Sequence, residues 1–360
     1  MRLDCSFHAG RQYDAEVEYG SITTMSDTMS RSFSTRKLAL FGLLALLLLG
    51  ISLFIGRYPE PFLMPPRLLR EDLLAQRLVL YLRAPRLIVA FLMGMALSSA
   101  GFVMQMIFRN PLVSPGFLGV SQGAAFGAAL SILLIGGSPL LVQGMAGAFA
   151  FGGMLLSFLL ARNIRFGGWH LRLVLAGIAI SALFSSGVGV LKYLADPLRE
   201  LPDIVFWMLG GLYAITWDEV IVVSPIVLVG LGVMLAMRWR LNILTLNDES
   251  AYSLGAAPGR ERAIILLAAV AATDAAIAVS GLVSWVGLIV PHIARRLFGA
   301  DSQYSLPASM IFGGMFTVIC DNIARTLLAG EIPLGIITSL LGAIAFALIF
   351  ASHHAAGKST

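Results

Sequence analysis

From residue 38 to residue 351 the chain alternates long apolar runs with short polar breaks marked by Pro, Gly and charged residues. The runs lie near 38–56, 86–107, 117–135, 140–161, 172–194, 218–237, 262–280, 283–298, 305–328 and 334–351. Each approaches the roughly 20 residues that a helix needs to cross a bilayer. The pattern therefore predicts an all-α polytopic membrane protein with about ten transmembrane helices. The stretch DIVFWMLGGLY, residues 203–213, is apolar but too short to cross. It reads as a helix lying at the surface or re-entering the membrane packed against protein. The predicted organisation is a polar, disordered tail over 1–37, one transmembrane domain over 38–351 and a short tail over 352–360.

Composition supports this reading. Of 360 residues, 58% are hydrophobic and only 12% are charged, and soluble domains carry about 25% charged residues. Water is not the main solvent of this chain. The first 37 residues mix acids with bases and lack the basic-then-apolar order of a cleaved signal, so the first span is predicted to be retained. Met25 and Met29 precede a more ordinary basic leader (Arg31, Arg36, Lys37), so the first two dozen residues read as disordered or as an over-long start. Cys5 and Cys320 are too far apart to suggest a framework, and the five histidines have no zinc spacing.

Charge sets the expected orientation. Ten spans put both termini on one side, and a cytoplasmic placement puts Arg36, Lys37, Arg109, Arg162, Arg165, Arg172, Arg238, Arg240, Arg260, Arg262, Arg295 and Arg296 inside. The positive-inside tendency favours that placement. It leaves an outer basic cluster, Arg57, Arg67, Arg70, Arg77, Arg83 and Arg86, that needs its own explanation. No basic run interleaves with aromatics, so nucleic acid is not an expected partner.

Few residues suggest chemistry. The terminal GKST imitates the end of a phosphate-binding loop, but position 352 is Ser where that loop needs Gly. No nucleophile–base order or paired carboxylates stand out, so no catalytic residue, metal site or bound cofactor is predicted. Asp274 lies inside a span, where an ionisable group is a functional suspect by default, and a proton-coupled secondary transporter is the rival class. Asp321 and Arg325 are four apart and can pair on one helix face. The segment from Leu246 to Gly255 reads as a short amphipathic helix with an Asx start and a Gly stop. It is either an inert connector or a docking element. Gly123-x-x-x-Gly127 suggests close helix packing in lipid, and Pro291 suggests a broken span.

Seven stretches together carry a family resemblance. In chain order they are RAPRLIVAFLMGMALSSAGFVMQMIFRNPLVSPGFLGVSQGAAFGA, LAGIAISALFSS, FWMLGGL, LNDESAYSLG, VGLIVPHIARRLFGAD, DNIARTLLAGEIPLG and LLGAIAF. The chain resembles the FecCD-type permeases, the membrane subunits of ABC importers for iron-siderophores, haem and vitamin B12. The resemblance implies the all-α fold of vitamin B12 importer permeases (type II ABC importers), with both termini cytoplasmic in the inner, or plasma, membrane. It also implies a second permease copy as a homodimer, two ABC ATPase subunits that hold ATP and Mg, and a periplasmic or lipid-anchored binding protein. By the same resemblance Asn247, Asp248, Glu249, Ser250, Ala251, Tyr252, Ser253, Leu254 and Gly255 match the family's ATPase-docking helix. Arg83, Arg86 and Arg325 match the basic pockets that receive acids of the binding protein; anchoring to lipid headgroups is the alternative for these arginines. Met95, Ser98, Ser99 and Gln105 of the second span are the expected path-lining residues. The chain departs from the family pattern at Ser280–Gly287, at Ile344 in place of Pro, and at Asn247 in place of Gly. Some relatives of this type carry molybdate or tungstate, so departures at Ser284 and Trp285 bear on the cargo.

Overall fold

A computed structural model of the chain describes residues 33–59, 62–328 and 330–356. The expected N-terminal tail lies outside the described residues up to residue 32, and so does the GKST terminus. The first helix, α1, begins at Phe33 and ends at Phe54, so the helical domain starts a turn before the predicted boundary. At the other end α15 runs from Leu334 to Ala356, past the predicted limit of 351.

Every predicted span contains a helix. Short outer elements follow α1: a two-residue antiparallel pair, Ile55–Gly56 with Phe62–Leu63, then α2 Leu68–Glu71 and α3 Leu73–Arg77. A π-helical turn, Leu78–Arg83, leads without a break into α4, Ala84–Ile107. The bundle continues with α5 Val120–Ile135, α6 Pro139–Asn163, α7 Trp169–Leu194 and the short α8 Glu200–Leu209. Next come α9 Trp217–Ala236, α10 Arg238–Leu244, α11 Asp248–Ser253 and α12 Pro258–Ser280. α13 spans Val286–Phe298 and α14 Ser302–Thr326. Among the described residues seven helices are long and apolar enough to cross a membrane: α1, the continuous run Leu73–Ile107, α6, α7, α9, α12 and α14.

Two of the other predicted spans are shorter than their apolar runs. α5 has 16 residues. α13 has 13 residues, roughly 20 Å at 1.5 Å per residue, against the roughly 30 Å of a bilayer core. It cannot cross alone. The gap predicted between the runs 262–280 and 283–298 forms at Gly281–Trp285, while Pro291 lies inside an unbroken α13. The cause is tertiary. Gly211 N–H donates to Ser280 O at 2.7 Å, so the α8–α9 connection enters beside the end of α12. Trp285 then turns the chain with φ of 73°, its ring packed on Phe346 with centroids 5.9 Å apart. The DIVFWMLGGLY stretch accordingly forms α8 and a loop packed on protein, with Leu334 N–H donating to Gly210 O at 2.9 Å.

α4 is the central helix, packed against α14, α12, α13 and α9. Lipid offers no hydrophobic drive between helices, so close backbone approach must supply the attraction. Gly101 allows it: a Cβ there would lie 1.8 Å from Gly287 O. The Gly123/Gly127 pair does the same for α5 against α6, where added Cβ atoms would meet Phe149 O at 2.3 Å and Met145 O at 2.2 Å.

Candidate functional site

Three regions hold the predicted site residues. They lie along α12, which at 23 residues spans roughly 35 Å from α11 to the neighbourhood of the arginines.

At the arginine end, Pro85 sits in the first turn of α4, just past the π-helical turn, with Arg83 and Arg86 on either side. Arg325 enters from the last turn of α14. The fold brings all three together, yet they are only 6%, 4% and 8% exposed. Arg83 donates to Leu53 O at 3.0 Å. Arg325 donates to Ser52 O at 2.6 Å and to Asn322 Oδ1, while Asn322 itself donates to Ser52 Oγ at 2.7 Å. Arg86 Nε reaches Asp321 Oδ1 at 2.9 Å, and its Nη1 reaches Glu331 at 2.8 Å. The predicted Asp321–Arg325 pair forms at 3.7 Å. Burying a charge is costly unless it is paired and hydrogen-bonded, and this network satisfies that need internally. Headgroup anchoring does not fit side chains held this far inside.

A cleft of 290 Å³ opens beside them, lined by Gly56, Arg57, Tyr58, Arg83, Arg86, Arg325 and Glu331 among others. Sequence reasoning missed Glu331. Its signal was a lone acid in the apolar connection between the last two spans.

At the other end, α11 is built as the amphipathic reading expects. Asn247 caps it, its side chain accepting from Ser250 N–H at 3.0 Å. Asp248 and Glu249 stand in the first turn, where the helix dipole favours negative charge. Gly255 ends the segment at φ of 76°. Ala251 is buried, whereas Ser250, Ser253 and Gly255 face outward and Tyr252 and Leu254 are exposed by 75% and 59%. The segment hangs from the first turn of α12 by two clamps. Arg262 is buried; it reaches Asp248 at 2.6 Å and donates to Leu244 O at 3.0 Å. Arg240 donates to Gly255 O at 3.5 Å and lies 3.8 Å from Glu261.

The expected path residues are a correction. Ser98 donates to Ser309 O at 2.8 Å across the α4–α14 seam, and Ser99 bonds back to Met95 O at 2.7 Å. Gln105 donates to Leu288 O at 3.1 Å and accepts from Arg295. Met95 is half-buried against the core. Ser98, Ser99 and Gln105 are fully buried helix-packing groups, because hydroxyls and amides in an apolar bundle turn to the nearest carbonyl. The open polar space lies elsewhere. A cleft of 380 Å³ is lined by Ser114, Ser121, Gln122, Ser181, Ser284 and Trp285, among apolar neighbours. α5 and α13 both begin at its wall. Asp274 stands midway along α12, and its Oδ1 is enclosed without a hydrogen-bond partner among the described residues.

A helical bundle with seven helices of membrane-spanning length among the described residues, an enclosed basic cluster and a projecting short helix has the architecture of a polytopic membrane protein. The chain belongs to the FecCD transport family, which it matches over residues 43–352. It is 36% identical to the molybdate import system permease protein MolB of Haemophilus influenzae, covering 86% of this chain and 94% of that one. It is 39% identical to the hemin transport system permease protein HmuU of Yersinia pestis, over 73% of this chain and 80% of the other. Among solved structures, an inward-facing metal-chelate type ABC transporter superposes with a TM-score of 0.82 at 35% identity, covering 88% of this chain and 99% of that chain.

Proposed function

We propose that this chain is the permease subunit of a binding-protein-dependent ABC importer that carries a metal chelate, such as an iron-siderophore, haem or cobalamin, across the inner membrane. ATP hydrolysis belongs to a separate ATPase subunit, which holds the ATP and Mg. Two copies of this chain enclose the path, two ATPase subunits dock on Asn247–Gly255 in the cytoplasm, and both termini lie on that side. A substrate-loaded binding protein docks at the arginine end. The observation that carries this reading is the α11 segment: it exposes Tyr252 and Leu254 outside the bundle while the buried Arg262 ties it to α12. Exposed apolar side chains on a braced polar segment suit a partner surface. A partner that pushes on α11 pushes on α12, whose far end meets the α8–α9 connection and the Gly281–Trp285 break. Alternating access then follows as a shift between two packings of the same bundle.

A second reading, import of molybdate or tungstate, is favoured by the similarity to MolB along most of that protein. Neutral Ser and Gln side chains rather than charges meet the larger cleft, which suits weak, transient contact with either cargo. The deciding experiment is elemental analysis of the binding protein that co-purifies with the complex. Iron or cobalt near one per protein supports the chelate reading; molybdenum or tungsten replaces it with the oxyanion reading. Absence of any binding protein or ATPase from the purified complex sinks both.

A further inference from the structure

Arg86 has two carboxylate partners of opposite character. Asp321, from α14, is fully buried, whereas Glu331, from the α14–α15 connection, has a side chain 43% exposed. Removing a buried partner strands a charge in the apolar interior, so Asp321 is permanent. A half-exposed pair contributes little and exchanges readily, so Glu331 is replaceable. Four guanidiniums, Arg57, Arg83, Arg86 and Arg325, line the adjoining cleft, and Glu331 is the carboxylate that lines it with them. Arg325 Nε is enclosed and faces Asp321 Oδ2 at 3.7 Å, so Glu331 is the exchangeable acid of the cluster.

We propose that Glu331 is an internal stand-in for a carboxylate of the binding protein, and that exchange of the two at Arg86 frees the α14–α15 connection when the binding protein docks. The inference rests on the docking reading above. Backbone contacts join the connection to its neighbours. Ile332 N–H donates to Ala324 O at 3.0 Å, and Leu334 N–H donates to Gly210 O at 2.9 Å. Gly335 lies against the end of α8, where an added Cβ would meet Leu209 O at 2.3 Å. Glu331 also forms part of the wall of a second cleft, of 360 Å³, with Arg86, Asp203, Gly210 and Leu334. Through these contacts, release of Glu331 is passed to the start of α15 and the α8 turn together. Docking is thereby read at the elements next to the α12 break, with no direct contact between partner and path. Until an acid arrives, Glu331 occupies Arg86 and keeps the resting permease from responding to weak or non-specific acidic surfaces.

The test uses the intact permease–ATPase complex in lipid nanodiscs and the binding protein recovered with it. Glu331→Gln leaves the Arg86–Asp321 pair in place, so the fold is retained. It should tighten binding-protein capture by about tenfold at low salt, steepen the salt dependence, and raise ATP hydrolysis measured without binding protein. Glu331→Asp, which keeps the charge but shortens the reach, should fall between Gln and the natural residue. Unchanged or weaker capture in Glu331→Gln, with Arg83→Glu still weakening it, overturns the exchange and leaves docking at the arginines standing. Capture insensitive to Arg83→Glu overturns the docking reading itself, and the exchange with it.

Discussion

The two ends of α12 solve opposite problems with similar residues. At the arginine end, guanidiniums are drawn inside and held by Leu53 O, Ser52 O, Asp321 and Glu331. At the α11 end, one buried guanidinium, Arg262, works outward and holds a short helix clear of the bundle. In the proposed reading the first is a receptor whose own acid occupies it, and the second is a projection that waits for a partner. On that reading, exposure in the free subunit is a poor guide to where partners bind. A site for a transient partner can be filled from within, while a site for a lasting partner can stand open.

The largest expected effect breaks the closed end. Asp321→Asn leaves Arg86 and Arg325 without their shared buried carboxylate, and losing one member of a buried ionic network costs about 3–5 kcal/mol. The variant should melt well below the natural protein in a detergent thermal-shift assay, or fail to insert stably. Asp321→Asn melting like the natural chain would mean that Glu331 alone balances the cluster.

Next in size is the projecting end. Arg262→Met keeps the stem length but strips Leu244 O and Asp248 of their donor; an unsatisfied buried group costs about 1–3 kcal/mol. The bundle should survive, because α12 remains packed on α4 and α9, while α11 loosens. Co-purification of the ATPase subunit should fall severalfold, with Arg262→Lys restoring part of it. If ATPase capture survives Arg262→Met, the rigid attachment of α11 to α12 is not what partners recognise.

How much of this was legible in the sequence follows the same divide. The helices were, because each span is an apolar run long enough to declare itself, and α11 was, because its Asn start, apolar spacing and Gly stop are local. The break before α13 was legible as the gap between the runs 262–280 and 283–298, marked locally by Gly281; its shape was not, because Gly211 and Phe346 arrive from elsewhere in the chain. Pro291 sits inside α13 without interrupting it. The arginines were found through their motif, but their inward direction depends largely on partners far along the chain, from 30 positions for Arg83–Leu53 to 273 for Arg325–Ser52. Ser98, Ser99 and Gln105 misled for a related reason. Polar groups in an apolar helix suggest a path, yet a carbonyl on a neighbouring helix satisfies them equally well.

The smallest effect sharpens the comparison at the rim of the closed end. Tyr58 donates its O–H to Asp72 at 2.5 Å, and Leu74 N–H adds a second bond at 2.8 Å. The Tyr58 bond, ahead of the Leu74 bond, holds the Asp72 carboxyl below the usual carboxylate range. A depressed carboxyl stabilises the fold fully above its unfolded value and loses that contribution as pH falls through the folded one. The outer turn between α1 and α3 should therefore stay ordered down to about pH 4, where an ordinary aspartate begins to protonate, and loosen only below it. Tyr58→Phe should move that loosening upward in pH, read as earlier hydrogen–deuterium exchange over residues 57–72 after correction for intrinsic rates. Exchange at α11 should not change, since Tyr58 lies at the opposite end of the bundle. A Tyr58→Phe profile that matches the natural one would place the order of this turn in the Ile55–Gly56 and Phe62–Leu63 pairing instead of in its charge.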